Sequence, residues 1–305
     1  MTTSRPDQDD SRNPLLGITL ILCAVFFFAG MDTATKTLSV RYAPPFVMAV
    51  RFALGLVLMM AFVYPRLGRR IITWRRPRII LARGVMMVTA SVMAVYAFQR
   101  LPVAETVAIV YLAPFAVLFL AKPVLGERVS LSSWIASVGG FLGLVLIVRP
   151  GGGLAVDGVL FALASAAGAT WYFLFTRMLA SSEGTFALLF SLNIVGTIEL
   201  GATVPWTMPD FAPTWGDIGL FLYSGSAALI GHYLLTAAYR EAAAAVIAPL
   251  SYVHLIWAGL LGWVVFDHIP DPLAALGILL IAASGASLTL WTRIAGKRRM
   301  RPPAS

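Results

Sequence analysis

The chain of 305 residues is 59% hydrophobic and only 12% charged, with a formal net charge of +9. An ordinary soluble domain carries roughly 25% charged residues, so this composition excludes a soluble globular protein. The basic residues border apolar segments, which argues against nucleic acid as a partner and predicts contact with the anionic headgroups of membrane lipid.

Apolar segments of about 20 residues, the length of a helix that crosses a bilayer, follow one another along the chain. Backbone amides in lipid must bond within their own segment, so each segment is predicted to be a helix. In chain order the ten predicted spans are 15–37, 44–64, 79–98, 103–122, 131–148, 157–180, 184–204, 216–238, 243–266 and 270–293. The predicted fold is an all-α integral membrane protein with tails at 1–14 and 294–305.

Lys and Arg concentrate in alternate connections, most clearly in residues 66–78 and in the tail that follows the last span. Cytoplasmic loops carry this excess of basic residues. We therefore predict that both termini are cytoplasmic.

The two halves of the chain repeat each other. Residues 111–131, YLAPFAVLFLAKPVLGERVSL, match residues 251–271, SYVHLIWAGLLGWVVFDHIPD, at a shift of 140 residues. Each half, 15–150 and 151–293, holds five predicted spans, an odd number, so the second half should cross the membrane in the opposite orientation. Such inverted repeats are typical of secondary transporters, whose substrate site lies near the midplane between the halves.

The runs AFQRLP, YLAPF and LGERVSL in the first half, and AAYREAAAAVIAPLSYV and FDHIP in the second, resemble the drug/metabolite transporter superfamily, EamA type. The chain is also similar to bacterial exporters of aromatic and other apolar amino acids. This resemblance covers about residues 15–293 and implies a carrier that moves small metabolites without ATP hydrolysis. The second half departs from the pattern, with His254 in place of a usual Pro and Asp267 in place of Glu.

Candidate binding residues follow from the repeat. Residues three or four apart share a helix face, so Tyr111 and Pro114 form one stripe in the fourth span, and Ser251 and His254 form the matching stripe in the ninth. An aromatic pocket with few polar groups suits an apolar or aromatic solute with one or two polar ends. The predicted substrate-binding residues are Tyr96, Tyr111, Trp171, His232, Ser251, Tyr252 and His254.

Further residues are predicted to act in gating or in holding the structure. Asp32 and Lys36, spaced i, i+4, are expected to pair at the end of the first span. Arg51 lies inside a span and needs a partner or a cavity; a structural hydrogen bond to helix ends is favoured, and binding of a substrate carboxylate is the alternative. Glu127 and Asp267 are expected to bond amides at the next helix start. The full set is Asp32, Lys36, Arg51, Pro114, Glu127 and Asp267.

Three structural expectations follow from single residues. Pro114 should bend its helix and free a carbonyl near the midplane. Arg83, near a span end, should extend its charge to the membrane surface. Gly139 and Gly143 form a GxxxG pattern that permits close helix contact; packing within the fold is favoured over a dimer seam, so a monomer is favoured and a dimer is the alternative.

The sequence contains no phosphate-cradling loop and no Cys/His spacing typical of a metal site. We therefore expect no cofactor, no metal and no enzymatic activity. Because no carboxylate is predicted deep within a span, facilitated diffusion is favoured, with proton coupling through His232 or His254 left open. The alternatives are a carrier for S-adenosylmethionine, a nucleotide sugar or a drug, a scramblase or channel, and an intramembrane lipid-modifying enzyme that uses Ser251 and His254.

Overall fold

The computed structural model describes residues 13–125, 131–149, 153–179, 182–241 and 250–299, and every regular element in these ranges is a helix. Glu127 lies outside the described residues. The helices are α1 (Pro14–Ser39), α2 (Pro44–Leu58), α3 (Tyr64–Leu67), α4 (Pro77–Phe98), α5 (Val103–Val110), α6 (Ala113–Leu125), α7 (Leu131–Val148), α8 (Val156–Leu179), α9 (Thr185–Gly201), α10 (Val204–Thr207), α11 (Trp215–Glu241), α12 (Val253–Phe266) and α13 (Pro272–Arg299).

Prolines start four of these helices, α1, α2, α4 and α13. Proline suits the first helical position because the N–H it lacks has no intrahelical partner there. Asn13 completes the start of α1, where its side-chain oxygen accepts a hydrogen bond of 3.2 Å from the amide of Leu16. The prolines between the predicted spans therefore also fix where these helices begin.

Five helical segments are long and apolar enough to cross a membrane: Leu15–Ser39, Pro44–Ile71, Pro77–Phe98, Val156–Leu179 and Trp215–Ala238. Five shorter apolar helices lie at the other predicted spans: Val103–Val117, Val138–Val148, Thr185–Gly201, Val253–Phe266 and Pro272–Ser284. The protein is thus a helical multi-pass membrane protein, and the full count of ten spans stays a prediction.

Helix pairing follows the sequence repeat. The helix α1 packs chiefly against α11, and α4 packs chiefly against α8. A shift of 140 residues converts α1 into α8 and α4 into α11, so these two pairings are the same pairing made twice. The helices α2 and α9, and likewise α7 and α13, are equivalent elements that pack on each other. This pattern is the one produced by two halves related by a twofold axis.

The GxxxG pattern lies in the contact between α7 and α13. A Cβ atom on Gly143 would lie 2.7 Å from the carbonyl oxygen of Gly277, and one on Gly277 would lie 2.6 Å from the carbonyl oxygen of Gly143. A Cβ atom on Gly139 would overlap with Ser284 Oγ. Only glycine permits this approach, and the expected packing within the fold is confirmed.

Arg83 does not extend to the membrane surface, so that expectation is wrong. Its side chain is 2% exposed. Its Nε donates to Thr176 Oγ1 at 2.7 Å, Nη1 to the carbonyl of Leu188 at 3.1 Å, and Nη2 to the hydroxyl of Tyr172 at 2.8 Å. Three acceptors inside the bundle satisfy the guanidinium, which therefore joins α4, α8 and α9 instead of reaching water.

Candidate functional site

The fourth predicted span is broken in the structure. The helix α5 ends at Val110 and α6 begins at Ala113, with a turn at Tyr111 and Leu112. Pro114 has no N–H to donate to the carbonyl of Val110, and the carbonyl of Leu112 instead accepts from the amide of Phe115 at 3.0 Å. The predicted bend at Pro114 is present as a break between two helices.

The second half contains the same break at the equivalent place. A turn at Tyr252 precedes α12, and the carbonyl of Tyr252 accepts from the amide of Leu255 at 3.0 Å. This bond repeats the bond from Phe115 to Leu112 at a shift of 140 residues. His254 occupies the position equivalent to Pro114, so the second break forms without a proline at that position.

The two breaks touch each other through Tyr111. Its hydroxyl donates to the carbonyl of Ser251 at 3.1 Å and lies 3.1 Å from His254 Nδ1. The rings of Tyr111 and Tyr252 lie 5.3 Å apart. Four predicted binding residues, two of them consecutive in the chain, therefore meet where the halves cross.

His254 also faces an acid that the sequence placed elsewhere. Its Nε2 lies 3.3 Å from Asp32 Oδ2, an ion-pair distance whose angles are outside those of a hydrogen bond.

Aromatic rings extend this contact into a cluster. The ring of Phe28 lies 5.0 Å from the ring of His232 and 6.3 Å from that of His254. His254 is 6% exposed and Tyr252 is also buried. We call Phe28, Tyr111, His232, Tyr252 and His254 the central cluster. Phe28 was missed in the sequence because one phenylalanine among many apolar residues carries no distinguishing signal.

Arg51 lies inside α2 near this cluster. Its Nη1 contacts Met31 Sδ at 3.6 Å, and its Cζ lies 5.4 Å from the ring centre of Phe52. Among the described residues no oxygen atom accepts a hydrogen bond from its guanidinium. Asn193, close to the position in the second half that is equivalent to Arg51, donates to the carbonyl of Leu189. The favoured expectation, a structural hydrogen bond to helix ends, is wrong.

Lys36 does not pair with Asp32. Its Nζ donates to the carbonyls of Phe98 and Leu101 at the end of α4 and beyond, the first at 2.7 Å. Carbonyls at and beyond the C-terminal end of α4 have no N–H donor within the helix, so they need other partners. The expected i, i+4 pair is not formed, because a bond across helices satisfies both the ammonium and the helix end.

A second acid lies close to Lys36. Glu105 is 2% exposed, its Oε1 lies 3.0 Å from His268 Nε2, and its Oε2 has no hydrogen-bond partner among the described residues. Lys36, Glu105 and His268 join α1, α5 and the connection after α12, and we call them the end cluster. The sequence analysis had assigned no role to Glu105 or His268, although a single acid within the apolar run PVAETVAIV was a usable signal.

Tyr96 and Trp171 lie away from the central cluster. The ring of Tyr96 stacks on that of Phe161 at 5.1 Å. Trp171 is 40% exposed, and its ring lies 5.9 Å from that of Phe175 on the same helix. The structure brings neither side chain into contact with Tyr111 or His254.

Asp267 ends α12 in the left-handed conformation, with φ of 54°. Asp is one of the few residues other than Gly that adopt this conformation readily. The amides of the next helix are bound by Asp271, whose Oδ1 accepts from Leu273 at 3.0 Å and from Ala274 at 3.1 Å. The role expected of Asp267 therefore belongs to Asp271.

Two cavities lie apart from the central cluster. One, of about 340 Å³, is lined mainly by apolar side chains that include Tyr42, Phe46 and Phe221. The other, of about 390 Å³, is lined by Arg70, Arg75 and Glu183 among others. Neither of these two cavities is lined by Tyr111, His254 or Arg51.

The comparisons agree with this architecture. The EamA-like transporter family matches the chain twice, over residues 15–149 and 156–290. The pseudopaline exporter CntI of Pseudomonas aeruginosa (strain UCBPP-PA14) is 27% identical over 280 residues, which cover 90% of this chain and 95% of that protein. A riboflavin transporter of Rhizobium johnstonii is 28% identical over 301 residues, covering 95% of each chain.

More distant similarities extend the same picture. An S-adenosylmethionine uptake transporter of Rickettsia bellii is 22% identical, over 87% of this chain and 90% of that protein. A solved crystal structure with 19% sequence identity shares the fold at a TM-score of 0.64, covering 92% of this chain and 98% of the other. With both halves matched by one family, the chain belongs to the EamA-like transporter family and is a multi-pass membrane transporter.

Proposed function

We propose that this protein carries small amphipathic metabolites, most directly aromatic and other apolar amino acids, across the bacterial inner membrane by alternating access. The proposal takes the ten apolar helices as ten spans, arranged as two five-helix repeats of opposite orientation with both termini in the cytoplasm. It is supported by the two family matches, one in each half, and by the repeated pairing of α1 with α11 and of α8 with α4.

The observation that carries the proposal is the contact between the two helix breaks. Broken helices at the interface between repeats are where carriers bind their substrates. Here the break at Tyr111 meets the break at Ser251 through one hydrogen bond of 3.1 Å. In alternating access the two halves exchange conformations, and the contact between the two breaks must then separate. The space between the breaks would open to each side of the membrane in turn.

The chemistry of the central cluster favours an aromatic or apolar side chain in that space. Its rings offer edges and faces at distances of 5.0–6.3 Å from one another, and aromatic rings bind apolar and aromatic groups with specific geometry. A sugar would need more hydroxyl and amide partners than the described side chains of the cluster provide. Carriers for S-adenosylmethionine, a nucleotide sugar or a drug are the alternatives.

The end cluster supports a closed state at one face. With the N-terminus in the cytoplasm, Lys36, Glu105 and His268 lie at the outer face, where their bonds join α1, α5 and the connection after α12. This arrangement fits a carrier whose outer side is shut. The net direction of transport then follows from the metabolite gradient, and the protein works as an exporter in a cell that produces the metabolite.

A lipid-modifying enzyme fits the site less well. The enzyme alternative uses His254 as the base that activates Ser251 as a nucleophile. The two ring nitrogens of His254 face Tyr111 and Asp32. This arrangement favours a binding site over a hydrolytic one.

Counterflow in proteoliposomes tests the proposal. Proteoliposomes that contain the purified protein are loaded with one unlabelled test compound at a time, and uptake of the same compound in labelled form is measured for phenylalanine, methionine, threonine and a nucleotide sugar. We expect exchange of phenylalanine and methionine. The variants Tyr111→Ala and His254→Ala should fold normally and change the order of preference among the substrates. The control Tyr233→Ala, at an exposed side chain, should keep the wild-type order of preference. Exchange of the nucleotide sugar alone would overturn the proposal.

A further inference from the structure

Arg51 carries a positive charge that the described protein does not neutralise by contact. It lies in the middle of α2 and is half-buried. Its nearest acceptor is the sulfur of Met31 at 3.6 Å, and a thioether is only a weak acceptor. A guanidinium within a membrane span normally faces a partner or a cavity, so Arg51 is available to an anion that the structure does not contain.

Asp32 supplies the opposite charge at the same depth. Asp32 lies seven residues before the end of α1 at Ser39, and Arg51 lies seven residues after the start of α2 at Pro44. Seven residues correspond to about 10 Å along a helix. Arg51 contacts Met31, the residue that precedes Asp32 in the chain, but Asp32 and Arg51 form no ion pair with each other. The Asp32 carboxylate faces His254 at 3.3 Å instead.

Arg51 and Asp32 therefore present one cationic and one anionic group that are not joined in an ion pair, and Asp32 faces the central cluster at His254. An α-amino acid carries the complementary groups, a carboxylate and an ammonium on one carbon atom, with its side chain directed away from both. An organic phosphate does not fit this pattern, because its additional negative charge would be repelled by Asp32.

We propose that Arg51 binds the carboxylate and Asp32 the ammonium of a zwitterionic α-amino acid, so that the two residues select the head group while the central cluster holds the side chain. This inference rests on the proposed function. A guanidinium can bind a carboxylate through two parallel hydrogen bonds. The ammonium replaces the His254 imidazole as the partner of Asp32, which couples substrate binding to the contact between the two helix breaks.

Three ligands separate the two contacts in the unmutated protein. Phenylalaninamide keeps the ammonium and lacks the carboxylate, whereas 3-phenylpropionate keeps the carboxylate and lacks the ammonium. Each loses one charge-assisted interaction, so each should bind at least about 10-fold more weakly than phenylalanine. Affinities are measured with purified protein in detergent from the change in tryptophan fluorescence.

The variants assign each contact to its residue. Arg51→Gln should bind phenylalanine and phenylalaninamide equally, because only the carboxylate contact is lost. Asp32→Asn should bind phenylalanine and 3-phenylpropionate equally. The control Arg100→Gln, which breaks an exposed ion pair with Asp157, should keep the full preference for phenylalanine.

The outcomes distinguish this inference from the proposed function. If the wild type exchanges phenylalanine but binds all three ligands equally, the head-group site is refuted and the carrier function stands; the same holds if Arg51→Gln weakens all three by one factor. If the wild type neither binds nor exchanges any amino acid, both proposals fail. The expected result is a wild-type preference for phenylalanine that each variant loses against its own analogue alone.

Discussion

Replacing Arg83 by Met should destabilise the protein through the loss of three hydrogen bonds. The guanidinium donates to Thr176, Leu188 and Tyr172. Hydrogen bonds between helices within membranes contribute about 0.6 kcal/mol on average and up to about 1.7 kcal/mol. Three such bonds give an expected loss of about 2–5 kcal/mol, while Met keeps most of the apolar volume.

Tyr172→Phe isolates one of the three bonds and should cost about 0.6–1.7 kcal/mol. The bond between Arg83 and Tyr172 is already lost in Arg83→Met. The double variant Arg83→Met/Tyr172→Phe should therefore be less stable than Arg83→Met by at most a few tenths of a kcal/mol. Tyr233→Phe is the matched control, since Tyr233 is 54% exposed, and should change stability by less than about 0.5 kcal/mol. Free energies of unfolding are measured by titration with sodium dodecyl sulfate in mixed micelles.

An Arg83→Met variant as stable as the wild type would refute this reasoning. So would strict additivity of the two single variants, since it would mean that Arg83 and Tyr172 act independently. Either result would favour the expectation from the sequence, in which the Arg83 side chain reaches the membrane surface.

Two further predictions follow from the contacts. Gly143→Ala should cost about 1–3 kcal/mol through overpacking against α13, whereas Gly259→Ala, with open space at its Cβ position, should cost nothing in the same unfolding titration. Lys36→Met should open the end cluster, so that a cysteine at residue 111 is labelled faster by a membrane-impermeant maleimide; an unchanged rate would contradict the role of the cluster.

Hydropathy and repetition predicted much of the architecture. Apolar length located the helices, because a backbone in lipid has no alternative to internal hydrogen bonds. The shift of 140 residues predicted that Tyr111 and Ser251 would occupy equivalent places, and the structure joins them directly. Periodicity also placed His254 on the same face as Ser251.

The charged residues could not be paired from the sequence. Spacing along one helix predicts neighbours within that helix, which led to the expected pair of Asp32 and Lys36. In the structure both side chains bind across helices, Asp32 to His254 and Lys36 to the end of α4. Such partners depend on which helices pack together, and that information lies in the tertiary contacts and not in local spacing.

Local spacing also could not show whether transport is coupled to protons. Facilitated diffusion was favoured because no acid was predicted deep within a span. The structure places the carboxylate of Asp32 against the mid-span His254, so an acid lies at the central cluster. The sequence identified His254 as a candidate and could not identify its partner.

Substrate protection of a single cysteine tests the central claim most directly. Cys23 is the single native cysteine; it is replaced by Ser, and a cysteine is introduced at Ser251, beside the contact between the helix breaks. Labelling by N-ethylmaleimide is timed with and without phenylalanine, and Thr73→Cys, at an exposed position in the connection between α3 and α4, serves as control. We predict that phenylalanine slows labelling at residue 251 and leaves residue 73 unchanged. Equal rates at residue 251 with saturating phenylalanine would contradict a substrate site between the two halves.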